Sequence, residues 1–159
     1  MIQTHLDRTD KKILIELQNN ARISNLELAE LVGLSATPCA RRVKRLEDCG
    51  IIQRHVTLLD ETLLGLSLTA LISISMDRHT PERFANFEEQ ISQFPEIIEC
   101  SIVTGQSADY LLKAMLPDMA RYEEFLLGRL TKIDGVTGVH SSFVLRKVIN
   151  RANLPLNHL

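Results

Sequence analysis

The stretch Asn25–Cys49, NLELAELVGLSATPCARRVKRLEDC, constrains the chain most, because it holds two helical periodicities separated by a stop and a start. Leu26, Leu28, Ala29 and Val32 give the first helix an apolar stripe. Gly33 ends it, since glycine enters the left-handed conformation of a terminating turn at least cost. Leu34 plugs the turn. Ser35 can cap the next helix, and Pro38 is tolerated in a first turn whose N–H groups have no helical acceptor. At about 100° per residue, Cys39, Val43 and Leu46 share one face of this second helix, which must be buried. Thr37, Arg41, Lys44 and Arg45 fall on or near the opposite face. That is the layout of a helix-turn-helix whose second helix enters the major groove. A basic helix face alone is an ordinary solvated surface. The turn glycine, the cap, the buried stripe and the basic run Arg41-Arg42-Val43-Lys44-Arg45 together point to DNA.

The net charge of −2 looks unsuited to a nucleic-acid binder until it is divided along the chain. Residues 1–55 hold nine Lys or Arg against seven Asp or Glu, and the remainder holds nine against thirteen. A basic head on an acidic body suits a protein that meets phosphates with one end, with modest and salt-sensitive non-specific affinity. The N-terminus is too polar for a signal peptide. The longest uncharged run, residues 62–76, is shorter than the roughly 20 residues that span a bilayer. The three cysteines, Cys39, Cys49 and Cys100, are odd in number and widely spaced, which argues against a disulfide framework. The five histidines lack metal-ligand spacing. A cytoplasmic protein without membrane contact is expected.

A first helix is expected from Asp7 or Thr9 to about Asn20, with Ile13, Leu14 and Leu17 inward. Ser24 or Asn25 caps the second helix, with Glu27 in a capping role. Residues 51–58 read as extended, a wing or a connecting strand in which Arg54 and His55 can meet phosphates. A hinge is expected at Asp60–Gly65. Residues 68–76 then alternate as a strand. A helix opens at Pro81 with Phe84, Phe87, Ile91 and Phe94 inward, and Pro95 ends it. Strands follow at 97–104 and 109–116 around the loop Gly105-Gln106-Ser107-Ala108. A second helix runs from Pro117-Asp118 to Gly135 with Met119, Tyr122, Leu126, Leu130 and Ile133 inward, and a last strand runs from Val136 to Lys147. The order βαββαβ is that of ferredoxin-like domains. The fold class is therefore α+β: a winged helix-turn-helix over 1–52, a linker strand and hinge over 53–66, the ferredoxin-like domain over 67–147, and a tail over 148–159.

Two helices cover one face of such a sheet. The other would carry Leu71, Ile97, Val103, Leu111 and Met115 or their alternating counterparts, too much apolar surface to leave in water. A second subunit packed sheet on sheet would bury it, and a homodimer also supplies the two-fold symmetry that a palindromic operator needs.

Along nearly its whole length the sequence resembles the Lrp/AsnC (feast/famine) family of transcription regulators. The resemblance is carried by Leu6-Asp7-Arg8, Ala21-Arg22-Ile23-Ser24, Val32-Gly33-Leu34-Ser35, Thr37-Pro38-Cys39 before the basic run, and Val103-Thr104-Gly105 followed by Asp109-Tyr110-Leu111-Leu112. Thr37-Pro38-Cys39 and Asp109-Tyr110 make it look closest to the leucine-responsive branch. The resemblance implies dimers that assemble further, often to octamers, and a free amino acid bound at the seam between dimers; no other cofactor is implied. It also implies an effector site at Thr104, Gly105, Gln106, Ser107, Ala108 and Asp109, with His140, Ser141 and Ser142 on a neighbouring strand. Loop N–H groups and hydroxyls suit an α-carboxylate and Asp109 an α-ammonium. On the DNA side, Thr37, Arg41 and Arg45 are expected at base edges, and Ser35, Arg42, Lys44 and Arg54 on phosphates, with Pro38 in the same first turn. The expectation is a sequence-specific regulator that responds to leucine, methionine or a similar apolar amino acid. Two rival readings are a DNA-wrapping architectural protein without ligand response and a small ferredoxin-like dimeric enzyme fused to a DNA-binding domain. The sequence carries no nucleophile–base pair, metal constellation or phosphate-binding glycine loop, so an enzyme is not expected.

Overall fold

Reciprocal caps set where the N-terminal helices begin. In the computed structural model, which describes residues 5–105 and 108–158, the chain divides into two compact units, residues 1–58 with 149–159 and residues 59–148. In the first unit, α1 (Arg8–Asn19) starts at Asp7, whose carboxylate accepts from the N–H groups of Thr9 and Asp10 at 2.9 and 2.8 Å. Asp10 returns the favour by accepting from Asp7 N–H at 3.1 Å. Ser24 and Glu27 repeat the arrangement at α2 (Asn25–Val32), so three otherwise unpaired N–H groups are satisfied at the start of α1 and two at the start of α2. Gly33 stops α2 at φ 74°, and Leu34 N–H closes back onto Ala29 O at 2.8 Å.

Helix α3 (Ala36–Asp48) follows. Ser35 takes its cap position but makes no side-chain capping bond; Asn25 Nδ2 instead donates to Ala36 O at 2.9 Å and ties the two helix starts together. The core of this unit is Ile13, Leu14, Leu28, Ala29, Val32, Cys39 and Leu46, with Leu17, Leu34 and Val43 packed against it. Leu26 departs from expectation and is exposed. Two residues from Leu28, it points to the other side of its helix. Among the described residues, 51–58 pair with no strand: β-branched residues favour extension, but a ladder needs a partner. The tail belongs to this unit. Gln18 brackets the Leu154 backbone, accepting from its N–H at 2.6 Å and donating to its carbonyl, Asn153 bonds Asn19, and Leu156 packs on the helical core.

The second unit is a four-stranded antiparallel sheet in the order β2-β3-β1-β4. Its elements are β1 (Leu68–Met76), α4 (Pro81–Ser92), β2 (Ile97–Ile102), β3 (Tyr110–Leu116), α5 (Met119–Gly128), a 3-10 turn at Leu130–Lys132, and β4 (Val136–Phe143). Alternation puts Ala70, Ile72, Ile74 and Met76 of β1 on one face with Tyr110, Leu112, Ala114 and Leu116 of β3. Phe87 and Ile91 of α4 and Tyr122 and Phe125 of α5 cover that face.

Several details differ from the expected pattern. The helix opened by Asp118 ends at Gly128, and the 3-10 turn carries Leu130 into the core instead. Met119 is exposed and Phe125 takes an inward position. β4 stops at Phe143, opposite Ala70, and a last bond runs from Val144 N–H to Thr69 O at 2.9 Å. Ile97 faces the helices and not the open face, since a register shift between Ile97 and Glu99 re-aims it. Within the stretch expected as a hinge, Asp60 accepts from Leu63 N–H at 3.0 Å and Leu66 N–H reaches Glu61 O at 2.8 Å, which makes a hydrogen-bonded turn.

Leu112 lies at the centre of the sheet and is wholly buried. Leu112→Ala is expected to cost about 2–5 kcal/mol in urea denaturation, the range for a truncated core leucine. A loss below about 0.5 kcal/mol, the scale of a surface substitution, would contradict the packing described.

Candidate functional site

α3 separates its two jobs by angle. Cys39 and Leu46 are fully buried and Val43 packs beside them, while Thr37, Arg41, Lys44 and Arg45 are exposed on the other side. Burial also raises the Cys39 thiol above its ordinary value, as suits a core residue. Arg41 and Lys44 stand in solvent, Lys44 with a long contact to Asp48 at 3.9 Å. Ser35 and Arg54 are exposed as well, and Pro38 is half-buried in the first turn.

Arg42 lies on the flank nearest the core. Its Nη1 donates to Asp7 Oδ2 at 2.7 Å and to Asp10 Oδ1 at 2.8 Å. Arg45 Nη2 donates to Asp10 Oδ2 at 2.5 Å. Two carboxylates from the start of α1 thus clamp two arginines of α3. The Asp10 N–H and then the Arg42 guanidinium hold the Asp7 carboxyl at about 2, below its ordinary 3.8. Reading the sequence for groove contacts missed both acids. The available signal was position: Asp10 continues the stripe Ile13, Leu14 and Leu17 at helical spacing, so a carboxylate was due on a buried face and needed partners.

In the second unit, Gly105 turns the β2–β3 connection at φ 83°, where a Cβ would meet no neighbouring atom. Its requirement is conformational. Gln106 and Ser107 lie outside the described residues. Thr104 and Gly105 are exposed, and Ala108 and Asp109 half-buried. Asp109 anchors the connection to the end of β1. Its N–H donates to Ile74 O at 2.7 Å, and its carboxylate accepts from Met76 N–H and His79 Nε2, both at 2.7 Å. His79 is a partner that the sequence reading did not single out. Tyr110, the next residue, is core: its hydroxyl donates to Glu88 at 2.8 Å, and burial above all, with that acceptor, raises its phenol.

The β4 residues do not act as one group. Ser141 sits opposite Ile72 on the helix-covered side and bonds the Tyr122 hydroxyl. His140 and Ser142, opposite Ser73 and Leu71, lie on the open face and are exposed. Ser73 pairs with Leu111 on one side and His140 on the other. Two strand spacings, roughly 10 Å, therefore separate the β3 row from the β4 row. One copy of the chain brings Thr104, Gly105, Ala108 and Asp109 together but holds His140 and Ser142 apart from them.

Comparison with known proteins matches residues 6–53 to a family described as winged helix-turn-helix DNA-binding, and residues 69–154 to the Lrp/AsnC ligand-binding domain. The Bkd operon transcriptional regulator of Pseudomonas aeruginosa is 42% identical over 151 residues, covering 95% of this chain and 98% of that one. The leucine-responsive regulatory protein of Escherichia coli is 43% identical over 143 residues, covering 90% and 87%. Among solved structures, a transcriptional regulator of Neisseria meningitidis in complex with L-methionine superposes with a TM-score of 0.93 at 42% identity, covering 97% of this chain and 99% of that one.

A group whose carboxyl is lowered on folding stabilises the fold above its unfolded value, and that contribution is lost as pH falls through the folded value. The Asp7 cap is therefore expected to weaken as pH drops from 3.8 to about 2. Stability measured over that window should fall less steeply in Asp7→Asn than in the wild type. Equal slopes would remove Asp7 from the acid response.

Proposed function

The chain belongs to the Lrp/AsnC family of DNA-binding transcription regulators with a ligand-binding domain, and on that premise we propose that it reads specific DNA sites with α3 under the control of an apolar amino acid. The observation that carries the reading is the division of α3 into a buried apolar side and an exposed side bearing Thr37, Arg41, Lys44 and Arg45. Thr37, Arg41 and Arg45 reach base edges; Ser35, Pro38, Lys44 and Arg54 lie where phosphates would pass. Arg42 serves the clamp to Asp7 and Asp10, so phosphate contact is left to the others.

The effector is leucine, methionine or an amino acid like them. The methionine complex of the Neisseria relative supports that class, as does the name of the leucine-responsive relative. Residues 104–109 form the receiving loop. The α-carboxylate takes loop N–H groups, and the α-ammonium takes the Asp109 oxygen now shared with the exposed His79. His140 and Ser142 sit two strands away on the open face, so they join a site only through a second copy of the chain. That face carries Leu71 and Leu111, both partly exposed, beside Met115, and a homodimer packed there, assembling further toward an octamer, would bury them. Ligand then acts by favouring one assembly state over another, which requires unequal affinity for the two.

Arg41→Ala is expected to weaken binding to specific sites by about 1–3 kcal/mol while sparing non-specific DNA. An unchanged ratio of the two affinities would exclude Arg41 from base readout. For the effector, a thermal-shift screen of the purified protein against the proteinogenic amino acids should give stabilisation confined to leucine, methionine and close analogues. If none shifts the transition at millimolar concentration, the loop assignment falls and DNA wrapping without a ligand response becomes the better account.

A further inference from the structure

Asp10 is the one charged residue among the described residues that is fully buried. Its carboxylate serves three donors: Arg42 Nη1 at 2.8 Å on Oδ1, and Arg45 Nη2 at 2.5 Å and Asp7 N–H at 3.1 Å on Oδ2. Such a site is a poor investment in stability alone, because desolvating the charges costs about what their attraction returns, and well-packed apolar replacements are often as stable. Position 10 lies on the same stripe as Ile13 and Leu14, where a leucine would serve packing. What only an acid does there is fix two guanidiniums.

The two arginines are fixed differently. Arg42 is the more buried, with 30% of its side chain exposed, and its Nη1 is divided between Asp7 and Asp10. Arg45 is 47% exposed and is held through one Nη2 N–H, leaving its Nε, Nη1 and second Nη2 N–H groups, and so one two-donor edge, unpaired among the described residues. An arginine already held in place loses less rotamer freedom when it meets a base edge than one waving in solvent. We propose that Asp10 is a positioning residue for DNA readout: it holds Arg45 so that the remaining guanidinium edge faces the major groove, while Arg42 anchors the clamp and makes no phosphate contact. This rests on α3 being the DNA-contacting helix.

The test uses the full-length protein, a duplex selected by the wild type from a randomised library, and a scrambled duplex of equal length, titrated across a salt series. Asp10→Asn keeps the size of the side chain and removes its charge. It should lower the ratio of specific to non-specific affinity about tenfold, the low end for one bidentate arginine–base contact. The slope of log affinity against log salt should stay the same, since no phosphate contact is lost. In Arg45→Ala the same substitution should add nothing further, because Asp10 acts through Arg45. Arg42→Gln should also leave the salt slope unchanged; a drop of about one would contradict its assigned place. An unchanged ratio in Asp10→Asn, or equal losses on both duplexes, would reduce Asp10 to a structural residue and overturn the proposal while the α3 reading stands. An unchanged ratio in Arg45→Ala would remove Arg45 from base readout and with it the role proposed for Asp10; unchanged ratios in both Arg45→Ala and Arg41→Ala would overturn the α3 reading as well. Should Asp10→Asn not fold, wild-type protein with isotopically labelled arginines answers the question. Without DNA, Arg45 Nε should be nearly as ordered as the backbone and Arg41 Nε mobile; equal mobility of the two would defeat the proposal.

Discussion

Helix α3 must satisfy two opposed demands within thirteen residues. It has to bury Cys39, Val43 and Leu46 to be held at all, and it has to keep Thr37, Arg41, Lys44 and Arg45 in solvent to be of use. A helix meets both only if the two sets are separated by angle, and only if its rotation about its own axis is fixed. Packing of Cys39 and Leu46 supplies part of that fixation. The ion pairs of Arg42 and Arg45 with Asp10 supply the rest, because they act off the apolar face and resist a roll of the helix that interchangeable hydrophobic contacts would tolerate. The Asp7 and Ser24 capping boxes set where the supporting helices begin, and hence where the acids stand.

Most of this unit was legible because helix phase, turn glycine and caps are local properties. Gly33, Ser24 with Glu27, and the burial of Ile13, Leu28, Cys39 and Leu46 follow from spacing alone. Leu26 did not, since five of the eight residues of α2 are apolar and lie on both sides of it, so the pattern does not fix its phase without its neighbours. The clamp on Arg42 was hidden for another reason: the ion pairs cross 32 and 35 residues of sequence, and a basic run reads as surface until its acidic partners are placed. The tail was similarly opaque. Gln18 and Asn19 look like helix-end polar residues until Leu154 and Asn153 arrive beside them.

In the second unit, strict alternation along β1 made the sheet readable, and one register shift at Ile97/Glu99 was enough to move Ile97 to the other face. The candidate effector residues divide along the same line. Gly105 is explained by its φ and Asp109 by its bonds to Met76 and His79, so both have structural work before any ligand is considered. Ser141 lies on the helix-covered face, whereas His140 and Ser142 lie on the open one, a distinction that follows at once from period two but that consecutive numbering conceals. The two strand spacings between the β3 and β4 rows are the reason the proposed effector site calls for a second copy at the open face.

The central claim is that α3 lies in the major groove with Arg41 and Arg45 at base edges. Guanine N7 methylation reports on that groove directly, so the most telling measurement is a dimethyl sulfate footprint on a duplex selected by the protein, with wild type and Arg41→Ala side by side. The account predicts guanine N7 protection in two symmetric half-sites by the wild type, with part of each lost in the variant. Protection confined to adenine N3 in the minor groove, or none at any guanine N7 under saturating protein, would contradict it.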